Sequence, residues 1–159
     1  MKQIEILFFN TTKKPFFYQN QIKKTAIAVL EQVMPQINKR IKNVFLSVIL
    51  LKDSDALKLN KFWRHKNEVP LILSFPMFSK KELQLFQKKD IILGDIFIAR
   101  NAVSKQAKIV KKSELGLYQE LIIHSILHLV GFQHKTDKNY KEMREQEIKL
   151  QKQLIKPFN

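Results

Sequence analysis

The chain has 159 residues, 45% of them apolar, which is typical of a single globular domain and too apolar for a disordered chain. The absence of cysteine excludes disulfides and thiolate metal ligands. Lysine and arginine outnumber aspartate and glutamate by 29 to 14, so the formal net charge of +15 favours RNA, DNA or an anionic membrane surface as partner.

The first apolar run, residues 2–9 (KQIEILFF), predicts a strand. Polar residues follow it at once and no small-residue cleavage site is present, so we do not interpret it as a secretory signal. No apolar run approaches the roughly 20 residues that span a bilayer. We therefore expect a cytoplasmic protein without a membrane partner.

A helix and a central strand are predicted next. Residues 20–34 place apolar side chains at the spacing of one helix face. Residues 42–52 (KNVFLSVILLK) are almost continuously apolar, which is typical of a strand buried on both faces. Residues 54–64 then predict a short helix, with Ser54 or Asp53 as its N-cap.

An edge strand should follow, because residues 69–78 have a proline near each end and proline cannot donate to a ladder. Residues 91–100 (IILGDIFIAR) predict another strand. Gly94 in its interior allows a bulge or a close backbone approach, and Asp95 would then sit at that bulge. Residues 102–112 read as a helix.

Two further helices complete the predicted fold. Residues 113–131 form a strongly apolar helical pattern, with Ser113 as N-cap and Gly131 as terminator, and residues 137–155 form an amphipathic one. The order is β-α-β-α-β-β-α-α-α. We expect one α+β domain over residues 1–159, with a mixed four-stranded sheet packed against about five helices.

Three of the four histidines fall within HSILHLVGFQH, residues 124–134. His124 and His128 are four residues apart, so on a helix they project from the same face. A glycine stop at Gly131 would let the chain turn and bring His134 toward the same point. Three imidazoles leave one tetrahedral position open, which is the arrangement of a catalytic zinc site on a buried central helix.

The alternative interpretation is a pair of core histidines bonded to backbone carbonyls, with His134 unrelated. Isolated buried imidazoles would cost about 1–3 kcal/mol each without partners, whereas coordination removes that cost. Because the spacing and the glycine stop occur together, we favour the metal site. His65 lies in a polar run and is expected at the surface.

The spacing also matches the metzincin protease signature H-E-x-x-H-x-x-G-x-x-H. In those proteases a glutamate after the first histidine takes the proton from zinc-bound water, and Ser125 stands there instead. Met143, a candidate for a Met-turn, lies in a helical pattern. Peptide hydrolysis is therefore disfavoured.

The chain resembles the YbeY-type endoribonucleases, whose motif H-G-x-L-H-L-x-G-x-D-H is similar to residues 124–134. LNKFWR, residues 59–64, resembles the family's L-N-x-x-[YF]-R and places Arg64 on its characteristic arginine. LSFP (73–76), LGDIFI (93–98), Gln106–Ala107 and MREQEIKL (143–150) agree in order. The sequence departs from the family pattern at three places: Ser125 replaces glycine, Gln133 replaces aspartate, and Pro70–Leu71 replaces Thr-Asp. None of these changes removes a predicted ligand, and the loss of two carboxylates is expected to affect either the support of the site or RNA handling.

The resemblance implies a zinc-dependent endoribonuclease that cleaves single-stranded RNA, acting in ribosomal RNA maturation at the 16S 3′ end and in ribosome quality control. His124, His128 and His134 would hold one Zn²⁺ or another divalent transition metal per chain. Arg64 would be catalytic and pair with a phosphate. The implied partners are single-stranded ribosomal RNA and the small ribosomal subunit, with no DNA expected.

Several roles stay open on the residues alone. Glu120, one turn before His124, is either a general base or a solvated residue. Phe62 and Trp63 could stack unpaired bases, but core packing is the expectation. The 25 lysines also fit A/T-rich coding bias. The rival function is a non-catalytic, metal-stabilised ribosome assembly factor that binds ribosomal RNA.

Overall fold

A computed structural model describes residues 3–156. Lys2, with which the predicted first strand begins, and both ends of the predicted domain lie outside the described residues. In chain order the elements are β1 (Gln3–Asn10), α1 (Gln19–Ile37), β2 (Asn43–Leu51), α2 (Asp53–Arg64), β3 (Ile72–Pro76), α3 (Lys80–Leu85), β4 (Asp90–Ala99), α4 (Arg100–Ile109), α5 (Glu114–Leu129) and α6 (Asp137–Leu154).

The four strands form one mixed sheet in the order β1-β2-β4-β3. β1, β2 and β4 run parallel, while β3 is antiparallel to β4. The almost continuously apolar β2 lies inside the sheet, and β3 with its terminal Pro76 lies at an edge. The α+β class, the mixed four-stranded sheet and both strand positions are confirmed.

Helix α5 contacts α1, α4, α6, β3 and β4, so it lies at the centre of the helical layer. Its length and its N-cap are confirmed, since the Ser113 side chain accepts a hydrogen bond from the Gly116 amide at 3.0 Å. Most of its circumference is buried, through Leu117, Tyr118, Ile122, Ile123, Ser125, Ile126, Leu127 and Leu129. This burial fixes the helix against the sheet and therefore fixes the direction in which its polar side chains point.

Helix α3 is absent from the predicted order, which places β3 directly before β4. It spans six residues and begins with a capping box: the Ser79 hydroxyl accepts from the Glu82 amide, and the Glu82 carboxylate accepts from the Ser79 amide. These hydrogen bonds lower the pKa of Glu82. Residues 3–156 thus contain six helices, one more than predicted.

The predicted N-cap of α2 is wrong. Lys52 occupies that position without a side-chain hydrogen bond, and Asp53 is the first helical residue. The Asp53 carboxylate instead accepts a hydrogen bond from the Ala102 amide in the first turn of α4. Local sequence predicted that Asp53 caps α2, but its carboxylate caps α4, through an amide 49 residues away.

Across residues 3–156, no helix is both long enough and apolar enough to cross a membrane. The two longest helices, α1 and α6, have polar faces.

Gly94 marks an irregularity between β2 and β4 that confirms the predicted bulge. The register shifts so that Phe45 pairs with Ile92, whereas Leu46 pairs with Gly94. Gly94 has φ +144°, and a Cβ added to it would lie 2.1 Å from the Phe75 carbonyl oxygen of β3. Only glycine permits this approach between the last two strands.

We expect Gly94→Ala to lower the free energy of unfolding by at least about 2 kcal/mol, because the methyl group would meet backbone in a strained conformation. Urea unfolding would measure the loss. Ile92→Ala, at an exposed site of the same strand, is the control and should change stability far less. Equal losses in the two variants would contradict this explanation of Gly94.

Candidate metal centre and its cleft

The end of α5 is closed by a Schellman turn around Gly131. The Gly131 amide donates to the His128 carbonyl at 3.0 Å, and the Phe132 amide donates to the Leu127 carbonyl at 2.9 Å. Gly131 has φ +103°, and a Cβ there would lie 2.5 Å from the Cβ of Lys80. The predicted glycine stop is confirmed, and the first turn of α3 packs against it.

This turn brings the three clustered histidines together. His124 and His128 lie on successive turns of α5, with their Nε2 atoms 3.1 Å apart. The His134 ring centroid lies 4.8 Å from that of His128. One candidate ligand atom from each of the three residues lies within 4.8 Å of the other two. His65 is exposed at the end of α2, outside the cluster, as predicted.

Each helical imidazole is oriented through its other nitrogen. His124 Nδ1 donates to Glu147 Oε1 at 3.1 Å, and His128 Nδ1 donates to the Phe132 carbonyl at 3.0 Å. A carboxylate and a carbonyl can only accept, so each Nδ1 carries the hydrogen. In the uncharged form of each ring Nε2 is then an acceptor, and in that form two acceptors face one another.

Electrostatics favour the neutral, metal-binding form of His128. Burial lowers the pKa of this imidazole, and the neighbouring His124 lowers it further, whereas the hydrogen bond that His128 donates to the Phe132 carbonyl raises it. Burial alone would raise the pKa of the Glu147 carboxyl, but its hydrogen bond and charge interaction with His124 and its pairing with Arg144 outweigh burial and hold it below the ordinary value. Glu147 is therefore an anionic acceptor at neutral pH.

Glu147 is the site residue that was missed in the sequence. It lies on α6, 23 residues after His124, and reaches it only because α6 packs on α5. One local signal was available. Glu147 falls between the buried Met143 and Leu150 at the spacing of one helix face, so a carboxylate occupies a position where the pattern calls for an apolar residue. Met143 lies within this helix, as expected.

The three histidines line a cleft of about 600 Å³, here called the histidine cleft. Its other lining residues are Trp63, Arg64, Ile72, Leu73, Ser74, Phe75, Pro76, Phe132, Gln133 and Lys135. A second cleft of about 500 Å³ adjoins it and shares Arg64, Ile72 and His124. The end of α2 and edge strand β3 thus lie beside the three predicted ligands at the end of α5.

Arg64 stands where the two clefts meet. The arginine side-chain hydrogen bonds found among residues 3–156 belong to Arg40, Arg100 and Arg144. The Arg64 guanidinium, exposed at the last residue of α2, is therefore available to a ligand in either cleft. Its planar fork matches the oxygens of a phosphate.

The expected core packing of Phe62 and Trp63 is wrong. The two residues, at the end of α2, are 71% and 59% exposed. Trp63 lines the histidine cleft.

The remaining candidates lie around the two clefts. Both Glu120 oxygens are 2.8 Å from Lys112 Nζ, and Glu120 lines the second cleft with His124. Among the residues that depart from the family motif, Gln133 lines the histidine cleft, and Pro70 and Leu71 line the second cleft.

The sequence and the fold both have known relatives. The family model described as Endoribonuclease YbeY matches residues 8–155. A Bartonella henselae protein named Endoribonuclease YbeY is 38% identical over 112 residues, 70% of this chain and 69% of that protein. One of the same name from Buchnera aphidicola subsp. Cinara cedri is 31% identical over 152 residues, covering 94% and 92%. The fold is similar to the solution structure of TM1509 from Thermotoga maritima, with a TM-score of 0.61 and 24% sequence identity. The match covers 94% of this chain and 89% of the TM1509 chain.

Ser125 generates a prediction that concerns stability. Its hydroxyl is fully buried beside the histidines and has no hydrogen-bond partner among the described residues. We expect Ser125→Ala to raise the free energy of unfolding by about 1 kcal/mol, because an unsatisfied polar group is removed from the core. Thermal or urea unfolding would measure the gain.

Thr25→Val is the matched control, since the Thr25 hydroxyl is also buried but donates to the Gln21 carbonyl and accepts from Gln119. Loss of the Thr25 hydroxyl and its two hydrogen bonds should lower the free energy of unfolding by about 1 kcal/mol. Destabilisation of similar size in both variants would show that Ser125 has a partner.

Proposed function

Because the chain belongs to the YbeY family of endoribonucleases, we propose that it is a metal-dependent hydrolase that cleaves single-stranded RNA during ribosomal RNA maturation. His124, His128 and His134 are the proposed ligands of one zinc-type ion, and Arg64 is the proposed catalytic residue. The 16S 3′ end and ribosome quality control are the proposed context, in the cytoplasm and with the small ribosomal subunit as partner.

One observation carries the metal assignment: two imidazole acceptors face each other at 3.1 Å. With hydrogen on each Nδ1, two Nε2 lone pairs at that distance repel unless a cation or a proton lies between them. Nitrogens bound tetrahedrally to zinc at 2.0–2.1 Å lie about 3.3 Å apart, close to the observed separation. The donor set therefore fits a zinc-type ion, although nickel, copper and iron also accept imidazoles.

When bound, such an ion would supply a Lewis acid for a phosphoryl oxygen and would lower the pKa of water. The chain's own residues orient the ligands and bind the phosphate. Glu147 and the Phe132 carbonyl hold the two helical imidazoles in the ligating tautomer. Arg64, at the shared wall of both clefts, would hold the phosphate and stabilise the charge that builds up on its oxygens.

The first test compares His128→Ala with His65→Ala, a histidine outside the cluster. We expect about one metal ion per chain in the wild type and in His65→Ala, with cleavage of single-stranded ribosomal RNA in both. His128→Ala should lose both the metal and the cleavage, because two imidazoles hold the ion far more weakly than three. Metal analysis of purified protein and a gel-based cleavage assay provide the readouts.

Wild-type protein that purifies without metal, and gains no activity when zinc is added, would contradict the proposal. Metal bound equally by wild type and His128→Ala would contradict the ligand assignment alone.

The second test separates an enzyme from an assembly factor. We expect Arg64→Ala to lower kcat/KM for RNA by at least about a hundredfold, while metal content and thermal unfolding stay at wild-type values, because the guanidinium would act on the phosphate and not on the fold. Arg40→Ala, an exposed arginine that lines neither cleft, is the control and should retain nearly full activity.

Full cleavage in Arg64→Ala would contradict its assigned role. A wild-type protein that binds metal and ribosomal RNA but cleaves no RNA would instead favour the assembly-factor hypothesis.

A further inference from the structure

Trp63 is an exposed aromatic side chain on the wall of the proposed active-site cleft. It lies directly before Arg64 at the end of α2, with 59% of its surface open. Because burial of apolar surface is favourable, a ligand that covered the exposed part of the Trp63 ring would gain binding energy. The three histidines, Arg64 and Lys135 line the same cleft.

Other aromatic rings hold Trp63 in place. Its ring packs edge to face with Phe62 at 4.9 Å and with Phe75 of β3 at 5.9 Å between centroids. Phe75 packs in turn on Phe97 of β4 at 5.6 Å. A row of aromatic contacts thus ties Trp63 to the sheet, so it would lose little side-chain entropy when it binds a ligand.

The charge around Trp63 indicates the kind of ligand. Arg64 and Lys135 line its cleft, Lys61 and Lys66 lie close in sequence, and the whole chain carries +15. A flat apolar ring beside cations that can bind phosphate matches the two parts of a nucleotide. Unpaired bases can stack on such a ring, whereas bases inside a duplex already stack on their neighbours.

We propose that Trp63 stacks on an unpaired base of the RNA strand while Arg64 holds a neighbouring phosphate. The proposal rests on the proposed ribonuclease function and gives its single-strand preference a physical origin. The phosphates of a duplex could still bind the surrounding lysine and arginine side chains, but its bases would not be free to stack on Trp63. Trp63 is thus a substrate-binding residue that positions the strand across the histidine cleft.

The intrinsic fluorescence of Trp63 tests this directly, because it is the only tryptophan in the chain. In a stopped-flow instrument the full-length protein is mixed separately with a single-stranded RNA of ten nucleotides, with the duplex of that RNA, and with an abasic oligomer of the same backbone. We expect strong quenching by the single strand and little by the other two. Absence of quenching by the single strand, or equal quenching by the abasic oligomer, would overturn the proposal.

Kinetics provide the second readout. Trp63→Ala should raise KM for single-stranded RNA by about ten- to a hundredfold, the value of one stacked base, with a smaller change in kcat. Trp63→Tyr should restore most of the affinity, since a ring remains. Phe17→Ala removes another highly exposed aromatic side chain, from a different cavity, and should behave as wild type.

The two proposals can fail separately. If the wild type cleaves RNA but Trp63→Ala keeps a wild-type KM, stacking is wrong and the ribonuclease assignment stands. If the wild type cleaves no RNA, the assigned function is wrong, and the quenching by single-stranded and abasic oligomers still decides whether Trp63 stacks on bases.

Discussion

The arrangement of the candidate site depends on the single turn that ends α5. Gly131, in a backbone conformation that favours glycine, lets the Phe132 amide close the helix. The carbonyl of the same Phe132 accepts the hydrogen bond that orients His128. One peptide segment therefore satisfies the helix end, sets the tautomer of a candidate ligand and redirects the chain toward His134. The close contact with Lys80 ties this turn to α3 and explains why a side chain at Gly131 has no room.

Much of the fold could be predicted because its signals are local. Helices α1, α5 and α6 are long and periodic, β2 is almost continuously apolar, and prolines mark β3 as an edge. The histidine spacing likewise needs only one helix and one glycine, so the cluster was visible before any tertiary structure. Helix α3 was missed although Ser79 and Glu82 form a recognisable capping box, because six residues between two strands are too few to show periodicity.

What could not be predicted depends on partners distant in sequence. Asp53 caps α4 and not its own helix, and Glu147 reaches His124 only when α6 packs on α5. The exposure of Trp63 is also a tertiary property: its ring contacts Phe62 and Phe75, yet 59% of the residue remains exposed. Apolar composition alone predicted burial there, since a sequence does not show which neighbours cover a side chain.

The position of Glu147 on the last helix has a consequence for the order in which the protein matures. A chain made from its N-terminus presents all three clustered histidines before the residue that orients His124 has been synthesised. Until α6 docks, His124 lacks the carboxylate that selects its tautomer. Orientation of His124 through Glu147 thus requires the last helix, and a nascent or C-terminally truncated chain carries the histidine motif without the carboxylate that orients this imidazole.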